Sequence, residues 1–350
     1  MNNLKRLNCK TAKVLFGIVV LTINYCSSIR CQDEWATSTP KAQQMDSLTL
    51  STLDKHINDT LPHLQSLLIA RHGKLVFEQY YHGGSKTEMH NVQSITKSIT
   101  SALVGIALKK NYLKTLDQKV VDFFPEVAND TSIDMRIKKI TLYHLLTMSS
   151  GIAEGKPRWD KDDNPIRTTL QQHLQSDPGT QFHYSSPAAH VFSGILFKAI
   201  KDSLYDFADK YLFQPLGIKK VIWYKDNTGL LLTCGSSLWE SRDLLKIGQL
   251  YLNKGTWSGI EIIPEEYINQ SVKTHISGDC YGTYVNYGYM WYCETISGYK
   301  AFYASGYGGQ YLMVIPDLDM VVLCTSDWSQ PEFPAHHVIV KDYIIPSMVK

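Results

Sequence analysis

A serine and a lysine one helical turn apart are the strongest chemical signal in this 350-residue chain. Ser94-x-x-Lys97 opens an apolar run, "SITKSITSALVGIAL", whose apolar residues cover most of a helix circumference. We therefore expect a helix that is buried on nearly every side, with Lys97 inside it. Burial disfavours the charged form of a lysine and lowers its pKa, which predicts that Lys97 acts as a base near neutral pH. Three further Ser-x-x-Lys pairs lie in a polar segment, a turn or the chain end: Ser38/Lys41, Ser297/Lys300 and Ser347/Lys350.

Ser94 is the expected nucleophile of this pair. At a helix N-terminus, unpaired backbone N–H groups and the helix dipole favour the negative charge that develops on a serine oxygen during attack. The structural alternative is that Ser94 only caps the helix and that Lys97 extends to solvent. The segment by itself is compatible with both interpretations.

A tyrosine precedes a second apolar helix, in the segment "DPGTQFHYSSPAAHVF". The hydroxyl of this residue, Tyr184, can carry a proton between a nucleophile and a leaving group. The alternative is a loop tyrosine whose hydroxyl only bonds a backbone group.

Small residues interrupt a strand-like run near the C-terminus, in "FYASGYGGQYLMVIP". Residues 304–306 and the glycines at 308 and 309 allow a backbone or a ligand to approach closely. Such a strand edge can donate an oxyanion N–H group and hold an extended substrate. A glycine-rich bulge without function is the alternative.

The elements that must position these motifs differ in their hydrophobic period. "LQSLLIA" and "KLVFEQYY" predict a hairpin, residues of about 113–268 have helical spacing, and strand-like runs return after Tyr281. This order predicts an α+β fold, with a mainly antiparallel sheet built from both chain ends, flanked by helices, and an inserted all-helical region. The domain is expected at residues 51–350, after a flexible lead-in at 32–50.

Basic residues from Lys5 to Lys13 precede an apolar stretch from Val14 to about Ile23, a pattern typical of a signal peptide at residues 1–31. The apolar stretch is shorter than the roughly 18 residues of a membrane-spanning helix, so we expect no stable membrane span in the mature protein. The protein is expected to be exported, as a periplasmic or secreted protein. Lipid anchoring through Cys26 or Cys31 is disfavoured because neither follows the usual small residues.

Cysteine spacing and net charge limit the remaining chemistry. Export permits disulfides, so Cys280 and Cys293 either close a hairpin or remain free thiols. A formal net charge of +2 gives no indication of a nucleic-acid partner. No set of Cys or His residues has zinc spacing, so we expect neither a metal nor another cofactor.

Taken in chain order, "SITK", "PGTQFHYSS" and "SGYGGQ" resemble the three active-site elements of the serine hydrolases related to class C β-lactamases and penicillin-binding proteins. The resemblance spans about Ser51 to Ile345. Within that superfamily the chain is most similar to the esterase and amidase branch that includes the aminohexanoate-dimer (nylon-oligomer) hydrolases, whose "GGQ" segment it shares. The resemblance implies an active site between an antiparallel sheet and a helical region.

Carried over by position, the resemblance implies Ser94 as nucleophile, Lys97 as its activating partner and Tyr184 as the phenol that assists proton transfer. It leaves the acylation base open between Lys97 and Tyr184. The backbone N–H groups of Ser94 and Tyr307 would form the oxyanion hole, with Gly306 as the alternative to Tyr307. The substrate-binding residues that it implies are Ser186, Ser305, Gly306 and Gly308.

Two departures from the family pattern bear on the substrate. Ser186 stands where asparagine is common, and a hydroxyl cannot span the distance that an amide does. Residues 303–306, "YASG", stand where β-lactamases and penicillin-binding proteins have Lys-Thr-Gly, so no cation is present to bind a penicillin carboxylate. We therefore expect an acyl-enzyme hydrolase of small esters or amides. The alternatives are a D-amino-acid peptidase or transpeptidase, and a catalytically idle ligand-binding receptor.

Overall fold

Strands and helices alternate along residues 35–155, 159–330 and 336–349, which are the residues that the computed structural model describes. The strands are β1 (Leu64–Arg71), β2 (Lys74–Tyr80), β3 (Met89–Asn91), β4 (Ile222–Trp223), β5 (Ser237–Glu240), β6 (Thr256–Trp257), β7 (Ile260–Glu261), β8 (Ile276–Cys280), β9 (Thr283–Tyr287), β10 (Tyr292–Ile296), β11 (Tyr299–Gly306), β12 (Gln310–Ile315) and β13 (Met320–Ser326). The helices are α1 (Ser47–Thr60), α2 (Ile95–Lys109), α3 (Pro125–Ala128), α4 (Leu142–Leu146), α5 (Pro165–Leu170), α6 (Ser186–Ile200), α7 (Leu204–Ala208), α8 (Ser241–Leu252), α9 (Glu265–Ser271) and α10 (His336–Val338).

Eight strands form one antiparallel sheet in the order β2-β1-β13-β12-β11-β10-β9-β8. The N-terminal strand β1 pairs with β13, with Leu68 opposite Leu323 and Ala70 opposite Val321. The hairpin of β1 and β2 and the sheet built from both chain ends are thus confirmed. This topology places the last long strands of the chain in the middle of the sheet.

The sheet separates two apolar clusters because successive side chains of a strand point to opposite faces. In β12, Leu312 and Val314 face the cluster that contains α2 and α8. Met313 and Ile315 face the cluster that contains α1 and the C-terminal residues 339–344. Helices therefore cover both faces, which confirms the predicted α+β class.

Helix α2 is buried along almost its whole length: each residue from Ile95 to Ala107 is buried. Polar side chains along the helix are satisfied by bonds to neighbouring segments: Thr96 to Ser237, Ser98 to the Met290 carbonyl and Thr100 to the Thr233 carbonyl. Burial without such partners would cost free energy. The predicted burial of this helix is confirmed.

The prediction of a flexible lead-in is wrong for residues 35–50. Trp35 is 9% exposed and packs edge-on against Trp257, and Met45 is 1% exposed. Asp46 is the N-cap of α1 and accepts hydrogen bonds from two backbone N–H groups of its first turn. The polar residues that suggested a linker therefore include a helix cap, a role that favours Asp over apolar residues.

The prediction of an all-helical region at residues 113–268 is wrong in its C-terminal part. The short strands β4 and β5 form a sheet with β3. Helix α8 packs directly on the main sheet. The contact is so close at Gly248 that a methyl group there would collide with the side chains of Val321 and Leu312. A helical period shows which face of α8 is apolar but not which layer covers it.

The described helices include none that is long and apolar enough to cross a bilayer. The signal peptide predicted at residues 1–31 lies outside the described residues. Cys280 and Cys293 are free thiols. They lie on β8 and β10, with β9 between them, opposite Thr283 and Asn286 respectively. Two strand spacings alone separate their Cα atoms by about 9–10 Å and the stagger adds to this, beyond the reach of a disulfide.

Candidate active site

Ser94 lies in the tight turn that starts α2. Gln93, immediately before it, has a left-handed backbone with a φ of 49°. Such conformations cost about 1–3 kcal/mol in non-glycine residues and cluster at functional sites. Ser94 occupies the N-cap position, but its side chain caps no backbone N–H group. The interpretation of Ser94 as a structural cap is therefore wrong.

Lys97 contacts the Ser94 hydroxyl from inside the protein. Its Nζ atom lies 2.8 Å from Ser94 Oγ, 3.2 Å from Ser186 Oγ and 2.5 Å from the carbonyl oxygen of Cys234. Lys97 is 1% exposed, so the alternative of a lysine that extends to solvent is wrong. An ammonium has three donors and no acceptor, and these three oxygens match it fully.

The charge of Lys97 follows from its neighbours. Burial is the largest influence and lowers the Lys97 pKa, but interactions with Tyr184, Cys234 and Glu154 outweigh it and hold this pKa above its ordinary value. The predicted lowering of the Lys97 pKa is therefore wrong, and whether Lys97 acts as the base stays a prediction. The resting site contains an ammonium, which stabilises negative charge on the oxygens next to it.

Tyr184 lies beside this pair, in the loop that leads into α6. Its ring centroid is 4.9 Å from Lys97 Nζ, and its interaction with Lys97 contributes to the raised Lys97 pKa. Ser185 fixes the start of α6, because its Oγ accepts the backbone N–H of Ala188. The ring of Tyr184 also packs edge-on against Tyr281, at 5.9 Å between centroids. The structure thus brings the first and second motifs together.

The end of β11 lies against the turn that carries the nucleophile. A methyl group at Gly306 would collide with the carbonyl oxygen of Val92 and would lie 3.1 Å from Gln93 Cβ. Tyr307 follows directly and is 49% exposed. Among the described residues, no acceptor pairs with the Ser94 backbone N–H. The third motif therefore lies next to the residues that precede Ser94.

An open backbone edge follows the same strand. β10 pairs with β11 only as far as Tyr303, opposite Tyr292. In the part of the chain that the structure describes, residues 304–306 have no strand partner on this side. An extended substrate can bond to such an edge through its main chain.

The structure brings the substrate-binding residues of the sequence analysis together only in part. Ser186 reaches Lys97 with its hydroxyl. Ser305 alternates with Ala304, which faces α2, so its side chain lies on the opposite face of β11 and only its backbone borders the open edge. Gly308, with a φ of 74°, packs against the backbone of Trp328, which explains the absence of a side chain there.

Gln310 holds this glycine turn in place. Its side chain is completely buried and donates to the carbonyl oxygens of Gly308 and Ser326, and its Oε1 atom accepts the backbone N–H of Ser326. The "GGQ" segment thus fixes the loop after β11 rather than contacting Ser94 directly.

The site also includes residues that sequence reasoning missed. The Cys234 carbonyl binds Lys97, the Glu154 carboxylate bonds to Ser186, and the exposed Tyr281 packs against Tyr184. Cys234 acts through its backbone, which leaves no side-chain signal. Glu154 follows the "MSSGI" run in an irregular loop, and only its position after that run could have indicated it.

Among the described residues, no group of three or more His, Cys, Asp or Glu side chains is placed to hold a metal ion. The chemistry described here uses the chain's own hydroxyl, ammonium and phenol groups.

A serine–lysine pair at the start of a buried helix, a tyrosine before a second helix and the end of a sheet strand meet at one point. Together with an antiparallel sheet covered by helices, they define the class of β-lactamase-fold hydrolases. A family model described as Beta-lactamase matches residues 64–229. Residues 64–229 therefore carry a β-lactamase family domain, and the fold of the chain is that of the solved hydrolase and penicillin-binding-protein homologues to which it is similar.

Individual relatives agree with this assignment. The chain is 23% identical over 327 residues to the 6-aminohexanoate-dimer hydrolase of Paenarthrobacter ureafaciens, covering 85% of this chain and 81% of that protein. A solved structure from Bacillus anthracis, provisionally named a 6-aminohexanoate-dimer hydrolase, has a TM-score of 0.74 at 19% identity and covers 90% of this chain and 87% of its own. A family VIII carboxylesterase has a TM-score of 0.70 at 14% identity, with coverage of 89% and 99%.

Proposed function

We propose that the protein is an exported serine hydrolase that cleaves a small ester or amide through an acyl-enzyme on Ser94. The observation that carries the proposal is the 2.8 Å contact between Ser94 Oγ and the buried Lys97 Nζ. Tyr184 beside Lys97 supplies the third group that nucleophilic catalysis with proton transfer requires.

Acylation begins when Ser94 Oγ attacks the substrate carbonyl carbon and its proton passes to the pair formed by Tyr184 and Lys97. The acceptor must itself be deprotonated, either as a Tyr184 phenolate stabilised by the Lys97 ammonium or as a neutral Lys97 amine, and the acylation base stays open between these two. The backbone N–H groups of Ser94 and Tyr307 donate to the oxyanion, and the Lys97 ammonium offsets the charge that develops. The proton then moves to the leaving alcohol or amine as its bond to the acyl carbon breaks.

Deacylation repeats these steps with water. A water molecule attacks the acyl carbon, its proton passes to the same pair, and the carbonyl re-forms as the bond to Ser94 Oγ breaks. Ser94 regains its proton, and the carboxylic acid leaves. The atoms balance without an additional reactant.

The substrate class follows from the third motif and the relatives. Residues 303–306, "YASG", contain no cation to bind a penicillin carboxylate, so we propose ester or amide cleavage rather than lactam hydrolysis. One relative is named for the dimer of 6-aminohexanoate and another is a carboxylesterase. Both names support a small ester or amide as the substrate of this chain. Export rests on the sequence pattern of residues 1–31 alone.

Labelling with a fluorophosphonate probe tests the proposal. The wild-type protein and a Ser85→Ala control, which changes an exposed serine, should be labelled, and Ser94→Ala should not. Equal labelling of Ser94→Ala and wild type would reject the proposal. Turnover of p-nitrophenyl esters compared with that of D-Ala-D-Ala peptides then separates an esterase from a peptidase.

A further inference from the structure

A carboxylate extends the active-site hydrogen-bond chain beyond Lys97. The Oε2 atom of Glu154 accepts the backbone N–H of Ser186. The Ser186 oxygen accepts a hydrogen bond from Lys97. A continuous chain therefore runs from Glu154 through Ser186 and Lys97 to the Ser94 hydroxyl.

The Ser186 backbone N–H is at the first position of α6, where helices leave donors without an intrahelical partner. Ser185 caps the N–H of Ala188, and Glu154 satisfies the N–H of Ser186 from another segment. An anion at a helix N-terminus is favourable. Glu154 therefore fixes the backbone of Ser186, the residue whose hydroxyl accepts from Lys97.

Glu154 as a whole is exposed, but its carboxyl group lies against Ser186 and is partly desolvated, which raises its pKa. The ionisable groups that interact with Glu154 are Lys97, Cys234, Cys280 and Tyr281. Burial raises the pKa of both thiols, that of Cys234 to about 11, and burial also raises the pKa of Tyr281. These three are neutral near pH 7, so Lys97 is the cation that Glu154 balances.

We propose that Glu154 is a positioning residue of the hydrolase: together with Ser186 it orients Lys97 and supplies the negative charge that keeps Lys97 an ammonium. The inference rests on the proposed function. It also accounts for a serine at position 186, because the pair of Glu154 and Ser186 reaches Lys97 where a single hydroxyl would lack a fixed orientation. The other groups that face Lys97 are Tyr184 and Cys234.

Two substitutions separate the effect of the Glu154 charge from that of its side-chain length. Glu154→Gln keeps an oxygen that can accept the Ser186 N–H but removes the charge. Glu154→Asp keeps the charge but is one methylene too short for that hydrogen bond. Asp163→Asn, which removes a charge from an exposed residue of the same loop, is the matched control.

The experiment measures kcat and KM for p-nitrophenyl butyrate between about pH 6 and pH 12, with the uncatalysed hydrolysis subtracted and with folding checked by thermal melting. In Glu154→Gln the loss of activity at alkaline pH should begin about one pH unit lower than in wild type, because an opposite charge near an ammonium raises its pKa. In Glu154→Asp and Asp163→Asn the pH at which activity is lost on the alkaline side (the alkaline limb) should equal that of wild type. Only Glu154→Asp should have a reduced kcat. KM should change little in all three.

An unchanged alkaline limb in a folded Glu154→Gln protein would overturn the inference. An equal shift in Glu154→Gln and Glu154→Asp would also overturn it, since charge would then not be the cause. If Glu154→Gln does not fold, the reduced kcat with an unmoved limb in Glu154→Asp still tests the positioning role. Activity of Ser94→Ala equal to wild type would instead reject the proposed function, so the two failures are distinguishable.

Discussion

The carbonyl oxygen of Cys234 lies 2.5 Å from Lys97 Nζ, and 137 residues separate the two along the chain. This contact gives the buried ammonium its third acceptor, after the hydroxyls of Ser94 and Ser186. A buried ammonium with unpaired donors would lose its hydration without compensation. The segment that carries Cys234 is therefore as necessary to the charge state of the site as the side chains that surround it.

Lys97→Met should abolish hydrolysis while the fold persists. Methionine fills a similar volume but leaves the buried Cys234 carbonyl oxygen without its donor, so some stability is lost. We expect kcat/KM for an activated ester to fall about 10²–10⁴-fold, with a lower thermal midpoint and a protein that still folds. Steady-state kinetics and thermal melting measure both quantities.

Lys246→Met is the matched control for that variant. Lys246 lies on helix α8 and is 5% exposed, so it is buried as Lys97 is. It bonds to Asp243 and to the Gly217 carbonyl. This substitution should lower the thermal midpoint and leave fluorophosphonate labelling of the folded protein intact. Activity retained by Lys97→Met would contradict the role of Lys97.

Tyr184→Phe should lower kcat with little change in KM. The ring keeps its contacts with Lys97 and Tyr281, and only the proton-carrying hydroxyl is lost. General acid–base groups contribute about 10²–10⁴-fold, and a loss of that size is expected. Tyr284→Phe, at an exposed tyrosine of the neighbouring hairpin, should behave as wild type. A Tyr184→Phe protein with unchanged kcat would remove Tyr184 from the mechanism.

How much of this site the sequence could predict depended on how far apart its residues lie in the chain. Ser94 and Lys97 are three residues apart on one helix, so periodicity alone placed them together and predicted the burial of Lys97. The direction of the Lys97 pKa shift could not be predicted, because it depends on Tyr184, Cys234 and Glu154 from three other segments. The Cys234 carbonyl also binds the ammonium, and no residue type reveals a contact made by a backbone atom.

The fold could likewise be predicted from the sequence only where neighbouring residues determine it. The hairpin of β1 and β2 and the late strands followed from their own alternation, and the sheet from both chain ends followed from their order. Helix α8 has a clear apolar face, but its contact with Val321 and Leu312 depends on Gly248, whose missing side chain could equally mark a weak helix position. Local sequence patterns predicted the strands and helices, whereas close packing between distant residues determined which helix covers the sheet.

Gly306→Ala should disturb the nucleophile through the backbone. The added methyl group would collide with the Val92 carbonyl oxygen and press on Gln93, so β11 must move away from the turn that holds Ser94. Overpacking of this kind costs about 1–3 kcal/mol of unfolding free energy. We expect reduced kcat and a lower midpoint in urea denaturation.

Gly155→Ala provides the comparison, since a methyl group at that position meets no atom within 4 Å. It should leave both measurements unchanged. Full activity of Gly306→Ala would show that the strand end tolerates displacement and would argue against an oxyanion donor there.

Asp226→Ala should destabilise the protein through a buried pair that lies beneath the site. Asp226 Oδ2 is 2.9 Å from His190 Nε2, and both side chains have no exposed surface. His190 belongs to α6, the helix that begins at Ser186, and removal of one partner of a buried pair costs about 3–5 kcal/mol. Chemical denaturation at neutral pH measures this loss. Asp59→Ala, at an exposed carboxylate, should cost less than about 1 kcal/mol.

The same pair predicts the pH dependence of that loss. Burial alone would raise the pKa of Asp226, but hydrogen bonds from His190 and Thr228 hold it below its ordinary value. The stabilisation is therefore fully present above the unfolded-state pKa of about 3.9 and is lost as the pH falls through the lower folded-state pKa. The difference in unfolding free energy between wild type and Asp226→Ala should narrow only at strongly acid pH. A difference that already vanishes near neutral pH would show that the carboxylate is not the stabilising form.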